Sequence, residues 1–299
     1  MKKYYDKTCP LVSVVTVNYN QLEVTLDFLR SLYAVTYPYV EVFVVDNNSS
    51  VDPKPIIEKE FPEVNVISSK KNIGFAGGNN VAIKDCNGKF IAFLNNDTLL
   101  TRDFFEPIVE FFLKNPSVGV VSPKIIYYNT DNCIQYAGAV SINAFTGRGR
   151  KIGNGEVDRG QYNHIKETDL GHGAAMVIPK SIIKDVGLMP SIYFLYYEEH
   201  DWFEMIKRKG YRIFYVGHST IYHRESTSIG KNTPLKSYYM ARNRIIFMRR
   251  NFSGFKFFIS MLFLICFAIP KNVLSRLNDK ENRDAYIRGI IWNIKNKVI

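Results

Sequence analysis

Cysteine is sparse and unordered in this chain: Cys9, Cys86, Cys133 and Cys266 share no C-x-x-C spacing, which argues against a zinc ribbon or a disulfide scaffold and fits a reducing compartment. Long apolar runs are also missing. Residues 11–17 are followed at once by Asn18-Tyr19-Asn20, too short a stretch for a secretory leader, so none is expected. The longest run, 257–269, holds thirteen uncharged residues between Lys256 and Pro270. Crossing a bilayer takes about 20, so this segment is expected to lie at a surface. Neither G-x-G-x-x-G nor a Walker A pattern occurs, which removes support from NAD-binding and P-loop readings. No internal repeat or low-complexity segment is visible. Acidic residues are outnumbered, 28 against 39 basic ones, and the surplus of +11 calls for an anionic partner such as a nucleotide, a nucleic acid or a membrane surface.

What is present is the composition of a globular core: 299 residues, 46% apolar and 22% charged, which excludes disordered and collagen-like classes. Between residue 11 and about residue 121, short β-branched runs alternate with helical periodicity, the pattern of a parallel α/β sheet. Strands are expected at 12–17, 42–46, 64–67, 90–94 and 118–121, and helices near 22–33, 55–61, 77–85 and 102–114. Residues 134–152, rich in Gly and alternating apolar positions, suggest hairpins of a second layer. Further strands are expected at 171–178, 211–216 and 220–222, and helices at 180–186 and 198–209. Residues 207–256 contain twelve Lys or Arg and one acid, Glu225, so the remainder of the chain is neutral overall. A basic block running into the apolar segment 257–269 fits docking on anionic lipid; the competing reading is a solvated basic face followed by a core helix.

Four of the expected strands end in polar residues: Asn18-Tyr19-Asn20, Asp46-Asn47-Asn48, Lys70-Lys71-Asn72 and Asn95-Asn96-Asp97. Open parallel sheets bind ligands at that edge. Asp46 has the chemistry to accept from a nucleobase N–H or a ribose hydroxyl, against the plainer reading of an Asx turn continued by Asn47, Asn48 and Ser49. Asn95-Asn96-Asp97 offers one carboxylate and two amides to a hard metal and a diphosphate, or a cap to the following helix. The stretch 71–80 is Gly-rich: its glycines, Gly77 among them, permit close approach of a ligand or a neighbouring helix, and Lys71 can face phosphate. Glu198, Glu199 and Asp201 cluster in the first turn of a helix, with Glu198 and Asp201 on one face, more acids than capping needs. The aromatic neighbours Tyr196, Tyr197 and Trp202 would desolvate one of them toward the range of a general base. His223 ends a strand and is by itself a hydrogen-bonding residue as readily as a ligand.

In this order the pieces resemble the family 2 glycosyltransferases of the GT-A fold, particularly a bacterial rhamnosyltransferase-like branch. The resemblance covers roughly residues 11–250. It rests on Val14-Val15-Thr16-Val17-Asn18-Tyr19-Asn20, Val44-Val45-Asp46-Asn47-Asn48-Ser49, Asn72-Ile73-Gly74-Phe75-Ala76-Gly77-Gly78-Asn79 and Phe93-Leu94-Asn95-Asn96-Asp97. It continues in Gly173-Ala174-Ala175-Met176, Phe194-Leu195-Tyr196-Tyr197-Glu198-Glu199-His200-Asp201, Tyr222-His223 and Tyr238-Tyr239-Met240-Ala241-Arg242-Asn243-Arg244.

The resemblance implies a GT-A type, mainly parallel Rossmann-like α/β sheet, a smaller acceptor-side β layer and a C-terminal helical, membrane-associating tail, divided as residues 1–230 and 231–299. It implies a donor site in which Asp46 holds the base, the stretch Thr16, Asn18 and Tyr19 packs around it, and Asn48, Lys71, Asn72, Gly77, Asn79, Asn95 and Asn96 complete the pocket. Asp97 takes the last position of the family's D-x-D element, and His223 matches a histidine that completes the shell of a divalent ion, Mg2+ or Mn2+. Glu199 falls where the catalytic base belongs, with Glu198 and Asp201 as alternatives. Two departures stand out: D-x-D is here Asn-x-Asp, one negative charge fewer for the ion, and the usual Asp of the acid pair is Glu199.

The implied reaction is an inverting transfer from a nucleotide-sugar donor, dTDP-rhamnose first and UDP-hexoses or UDP-furanoses next. The acceptor would be a saccharide, free or polyprenyl-diphosphate-linked, in cell-surface polysaccharide or O-antigen assembly. The protein would sit peripherally on an anionic membrane surface, on the cytoplasmic side of the inner or plasma membrane. A nucleotidyltransferase would need a Gly-rich entry loop with a basic residue near the first strand, absent here. A non-catalytic nucleic-acid-binding or membrane-binding protein is the alternative of another class, but no RNP, KH or zinc-knuckle pattern occurs and no nucleic-acid partner is expected.

Overall fold

The computed structural model describes residues 9–143, 145–146, 148–224 and 233–296. The basic Lys2 and Lys3, Glu225, Ser226-Thr227-Ser228, Lys231 and the expected boundary at 230–231 lie outside these residues.

The expected alternation is present: β1 (Val12–Asn18), α1 (Leu22–Tyr33), β2 (Val40–Asp46), α2 (Lys54–Glu60), β3 (Val64–Ser68), α3 (Gly74–Ile83), β4 (Phe90–Leu94), a short β5 (Thr98–Leu100), α4 (Glu106–Lys114) and β6 (Val118–Tyr127). Then come β7 (Ile134–Tyr136), β8 (Ala139–Asn143), β9 (Arg148–Lys151), β10 (Ile165–Glu167), β11 (Ala175–Pro179), α5 (Lys180–Val186), α6 (Glu198–Arg208) and β12 (Arg212–His223). The chain ends in helices α7 (Pro234–Asn251), α8 (Gly254–Phe263), α9 (Ile269–Leu274) and α10 (Lys280–Lys295).

Ten strands form one sheet in the order β10-β12-β6-β11-β4-β1-β2-β3, with β5 beside β12 and β7 beside β6. Strands β4, β1, β2 and β3 run parallel, and β11 is antiparallel to both β4 and β6. Strands β1 and β4 carry fully buried Val, Ile and Phe side chains because helices cover both faces. The hairpin β8-β9 forms a separate two-stranded sheet, the smaller β layer.

Several boundaries differ from the sequence expectation for definable reasons. Helix α3 begins at Gly74, three residues earlier, and α4 begins at Glu106, where Pro107 fits the first helical turn. The strands expected at 211–216 and 220–222 are one, β12, bridged by an irregularity between Val216 and Thr220.

The larger correction concerns the tail. Pro270 does not end the apolar helix: a π-helical turn, Leu264–Ala268, joins α8 to α9 and absorbs the missing N–H. The result is one helical stretch of 21 residues, Gly254–Leu274, long and apolar enough to cross a membrane. One stripe of it, Ser260, Leu264 and Ala268, is buried, the last two packing with Ile245 of α7, while Phe255, Phe258 and Phe267 stand 76%, 62% and 64% exposed.

The basic block is likewise not one free face. Lys207, Lys209, Arg212, Arg224 and Arg250 pair with Glu204, Asp185, Glu167, Asp27 and Asp201. A run of cations counted along the sequence omits the acids that folding brings to it.

Candidate active site

A cavity of about 990 Å³ opens over the C-terminal rim of the parallel strands. Strand pairing builds its centre. Register places His223 of β12 opposite Thr98 of β5, so the imidazole reaches the residue before it: His223 Nε2 lies 3.2 Å from Asp97 Oδ1. The other ring nitrogen, Nδ1, lies 2.7 Å from Gln135 Oε1. Because an amide oxygen only accepts, Nδ1 donates to Gln135 in this arrangement, which leaves Nε2 as the ring nitrogen turned toward Asp97, the orientation a metal-ligating histidine needs. Asn95 Oδ1, on the same wall, is buried with no hydrogen-bond partner among the described residues. An orphaned oxygen beside a carboxylate and an imidazole is a donor set that suits Mn2+ or Mg2+. Among the described residues, no three His, Cys, Asp or Glu gather as a complete cage.

The acids enter from the opposite wall. Asn95 N donates to Ala174 O at 2.9 Å, which sets the 173–174 turn beside the β4 end. A Cβ at Gly173 would lie 3.2 Å from Glu199 Oε1, so the absent side chain lets Glu199 approach. Glu199 Oε1 is 3.5 Å from His200 Nδ1. Glu198 is buried; burial, and then the neighbouring Glu199 charge, push its carboxyl well above the usual range, which disfavours its charged form. Asp201 shares a face with Glu198 as expected, but it is the inward face. Its carboxylate accepts from Arg250 Nε at 2.5 Å and from Asn251 Nδ2 at 2.8 Å and is fully buried. Asp201 is therefore a structural acid, which corrects its candidacy as the base.

The loop leading to these acids is strained: Phe194, Tyr196 and Tyr197 hold φ of 65°, 69° and 77°, unusual for aromatic residues. Helix α7 holds it in place. Asn243 Nδ2 donates to the carbonyls of Tyr193, Leu195 and Tyr196 at 2.9, 2.7 and 2.8 Å, and Arg242 Nη2 donates to Ile192 O and Tyr193 O. The Arg242-Asn243 motif thus works through the acid loop. Gly74 meets the same loop: its φ is +76°, Phe75 N donates to Phe194 O at 2.7 Å, and a Cβ at Gly74 would sit 2.2 Å from that oxygen.

On the donor side the expected residues separate into wall and scaffold. Tyr19, Asn72, Asn95, Asn96 and Asp97 line the cavity. Asp46 stands behind Asn47; its carboxylate accepts from Asn18 Nδ2, Ser49 Oγ and Ser49 N, the Asx turn. Asn18 also accepts from Thr25, and Thr16 is fully buried. Lys71 and Asn48 are exposed and do not line the cavity. Gly77 and Asn79 are packing residues too: Asn79 Nδ2 donates to Phe75 O, and the cavity is lined instead by Gly74 and Phe75.

Asn47, at a strand end but not among the expected pocket residues, bonds Asn72, Ile73 and Gly74 through its amide, and Gln135, Lys151 and His172, which no motif marks, also line the wall. His172 is held well below the usual histidine range by burial and then by the Lys151 ammonium, 2.8 Å from Nε2.

This arrangement defines an α/β protein of the GT-A type, with a polar rim at the strand ends, an acid–imidazole pair and a carboxylate across the cavity. Residues 13–184 match glycosyl transferase family 2, and the chain belongs to that family; its chemistry is sugar transfer. It is 27% identical over 226 residues to the low-salt glycan biosynthesis hexosyltransferase Agl10 of Haloferax volcanii, covering 70% of this chain and 68% of that one. It is 31% identical over 108 residues to the putative teichuronic acid biosynthesis glycosyltransferase TuaG of Bacillus subtilis, covering 35% of this chain and 43% of that one. Among solved structures, a mannosyltransferase from Pyrobaculum calidifontis in complex with GDP-Man and Mn2+ superposes with a TM-score of 0.59 at 15% identity, over 97% of this chain and 76% of that one. GalNAc-T7 with UDP, GalNAc and Mn2+ gives 0.68 at 15% identity, over 97% and 59%. These likenesses concern the fold.

Proposed function

We propose that the chain is an inverting glycosyltransferase of glycan biosynthesis, which moves a sugar from a nucleoside-diphosphate donor to a saccharide hydroxyl at a membrane surface. The observation that carries it is the placement of the Asp97–His223 pair and Glu199 on one cavity at the strand ends. Asp97, His223 and Asn95 would hold a divalent ion, which supplies charge neutralisation for the diphosphate. The Asp46–Asn47–Asn72 rim orients the nucleotide. Glu199 takes the proton of the acceptor hydroxyl as that oxygen bonds to the anomeric carbon, while the bond from that carbon to the diphosphate oxygen breaks and the nucleoside diphosphate leaves with its electron pair. No covalent enzyme intermediate is needed.

A dTDP-rhamnose donor is first to test because the ordered motifs resemble the rhamnosyltransferase-like branch; UDP- and GDP-sugars come next because the structural neighbours above hold UDP and GDP-Man. The exposed apolar face of Gly254–Leu274 supports membrane association, and a cytoplasmic placement follows from where nucleotide sugars reside.

The test is nucleoside-diphosphate release across a panel of dTDP-, UDP- and GDP-sugars, with Mn2+, Mg2+ or EDTA. General-base catalysis is worth about 10² to 10⁴ in rate, so Glu199→Gln lowers turnover at least about a hundredfold while donor affinity, read by thermal shift, stays unchanged. Near-normal turnover in that variant would move the base elsewhere.

A further inference from the structure

A second cavity, about 480 Å³, lies between α7, the end of the apolar helix and α10. Its chemistry differs from that of the first. Three cations line it, Lys236, Arg244 and Arg276, against one carboxylate, Asp279. That carboxylate is already engaged as the cap of α10: it accepts from Asn282 N at 3.2 Å and Asn282 Nδ2 at 2.8 Å. Arg276 uses Nη1 on Asn272 O and Oδ1, 2.9 and 2.8 Å away, and its guanidinium lies 5.4 Å from the Tyr286 ring centre. Its Nε and Nη2 have no hydrogen-bond partner among the described residues. Lys236 Nζ sits 5.8 Å from the Tyr196 ring centre and makes no ion pair among the described residues. Arg244, 5% exposed, donates to Thr146 O, which ties this cavity to the tip of the β8-β9 hairpin.

Two further features fix what the cavity suits. Leu264, Asn272, Ser275 and Arg276 bring the apolar helix or its end into the wall, and the outer face of that helix presents Phe258, Leu262, Ile265 and Phe267 to the surroundings. The second cavity also shares Tyr197, Thr233, Lys236 and Met240 with the wall of the large one. An anionic head held on the cations therefore has an apolar surface on one side and the wall shared with the Glu199 cavity on the other. A soluble saccharide needs neither the cations nor the apolar face.

We propose that this cavity receives the phosphate groups of a polyprenyl-linked acceptor. The isoprenoid chain lies along the exposed face of Gly254–Leu274, and the glycan extends past Thr233 and Met240, which line both cavities, into the large one. This rests on the large cavity being the donor site. Charge complementarity selects the occupant: a net positive cavity beside an apolar helix matches an anion carried on a hydrocarbon.

The experiment uses the full chain and three probes: neutral phosphatidylcholine vesicles doped with polyprenyl phosphate, the same vesicles doped at equal mole fraction with phosphatidylglycerol, and inorganic pyrophosphate in solution. Co-sedimentation is read for the parent, for Arg276→Gln, and for Arg276→Gln combined with Lys236→Gln, with a melting curve as control for folding. The double variant is expected to lose at least about tenfold in apparent affinity for polyprenyl phosphate vesicles and to keep its binding to phosphatidylglycerol vesicles. Arg276→Lys is expected to recover part of the loss.

Equal binding by parent and double variant overturns the proposal. So does an equal loss on both lipids, which would mean general surface charge, and so does saturable pyrophosphate binding that leaves vesicle binding undisturbed, which would mean a site for a soluble anion. Donor turnover without acceptor separates this from the wider reading: Arg276→Gln leaves slow donor hydrolysis unchanged. Loss of donor binding in the parent chain would instead overturn the donor site itself.

Discussion

On the strand-end side of the cavity, the polar residues hold one another over short reaches of sequence. Asn18 Nδ2 bonds Asp46 28 positions away, and Asn47 bonds Asn72 25 positions away. On the acid side, the loop before Glu198 is held from α7, with Asn243 bonding Tyr193 50 positions earlier. The first arrangement follows from parallel strand register; each strand end lands beside the next. The second is imposed from outside on a backbone that would not choose it, with three aromatic residues at positive φ. A rigid rim suits binding that changes little during the reaction, whereas an externally clamped acid can be placed to within the narrow tolerance that proton transfer demands.

Perturbing the centre that both sides share should cost most. With Asp97→Ala, loss of the carboxylate beside His223 is expected to lower turnover about 10² to 10³-fold and to abolish any dependence of donor binding on Mn2+. Titration calorimetry of donor with and without Mn2+ checks this, and an unchanged metal response would remove Asp97 from the site.

Next in size is the clamp. Asn243→Ala leaves the carbonyls of Leu195 and Tyr196 without this donor while Tyr193 O keeps Arg242 Nη2, a cost of about 1 to 3 kcal/mol, and should lower kcat while donor affinity stays near that of the parent. A fall in donor affinity of the same size would show that the two sides are not separable.

The rim variant Ser49→Ala removes two of the bonds to Asp46 if the backbone turn relaxes, one if it holds. It should weaken donor binding by about 0.5 to 1.5 kcal/mol with kcat unchanged, the converse of the clamp.

The smallest effect is on the pH dependence of stability. Glu198 has its carboxyl raised in the native state by burial and then by Glu199. The native protein therefore holds this proton more tightly than the unfolded chain does. Its contribution is full below the ordinary Glu range, near about 4.3, and declines as pH rises toward and through the native value. Glu198→Gln, which cannot ionise, should flatten that decline in melting curves recorded from pH 4 to pH 8, on the order of one unit steps; a parallel offset with no change of slope would contradict it.

How much of this was legible in the sequence follows the same division. Strands such as 90–94 and their polar ends could be read because β-branched and aromatic runs are local signals. Asp97 and His223 were candidates from their positions at strand ends, but their meeting depends on β5 and β12 pairing, which no local pattern encodes. Asp201 misled because periodicity gives a face without saying whether it looks inward, and Arg250 and Asn251 settle that. Gly74 matters for its approach to Phe194, so a reading confined to the 71–80 stretch favoured Gly77 and Asn79. Gln135, Lys151 and His172 carry no motif and reach the wall only through the second β layer.

The clamp from α7 also sets an order of assembly. Strands β1 to β4 have all their mutual pairings once Leu94 has been made, so the strand-end rim can close early in synthesis, from the N-terminus onward. Tyr193 to Tyr197 cannot be held until Asn243 has left the ribosome, and Asp201 waits for Arg250. A nascent chain therefore acquires the proposed donor surface before the proposed base is held in place. The clamp on the acid loop arrives last, together with the long apolar helix Gly254–Leu274.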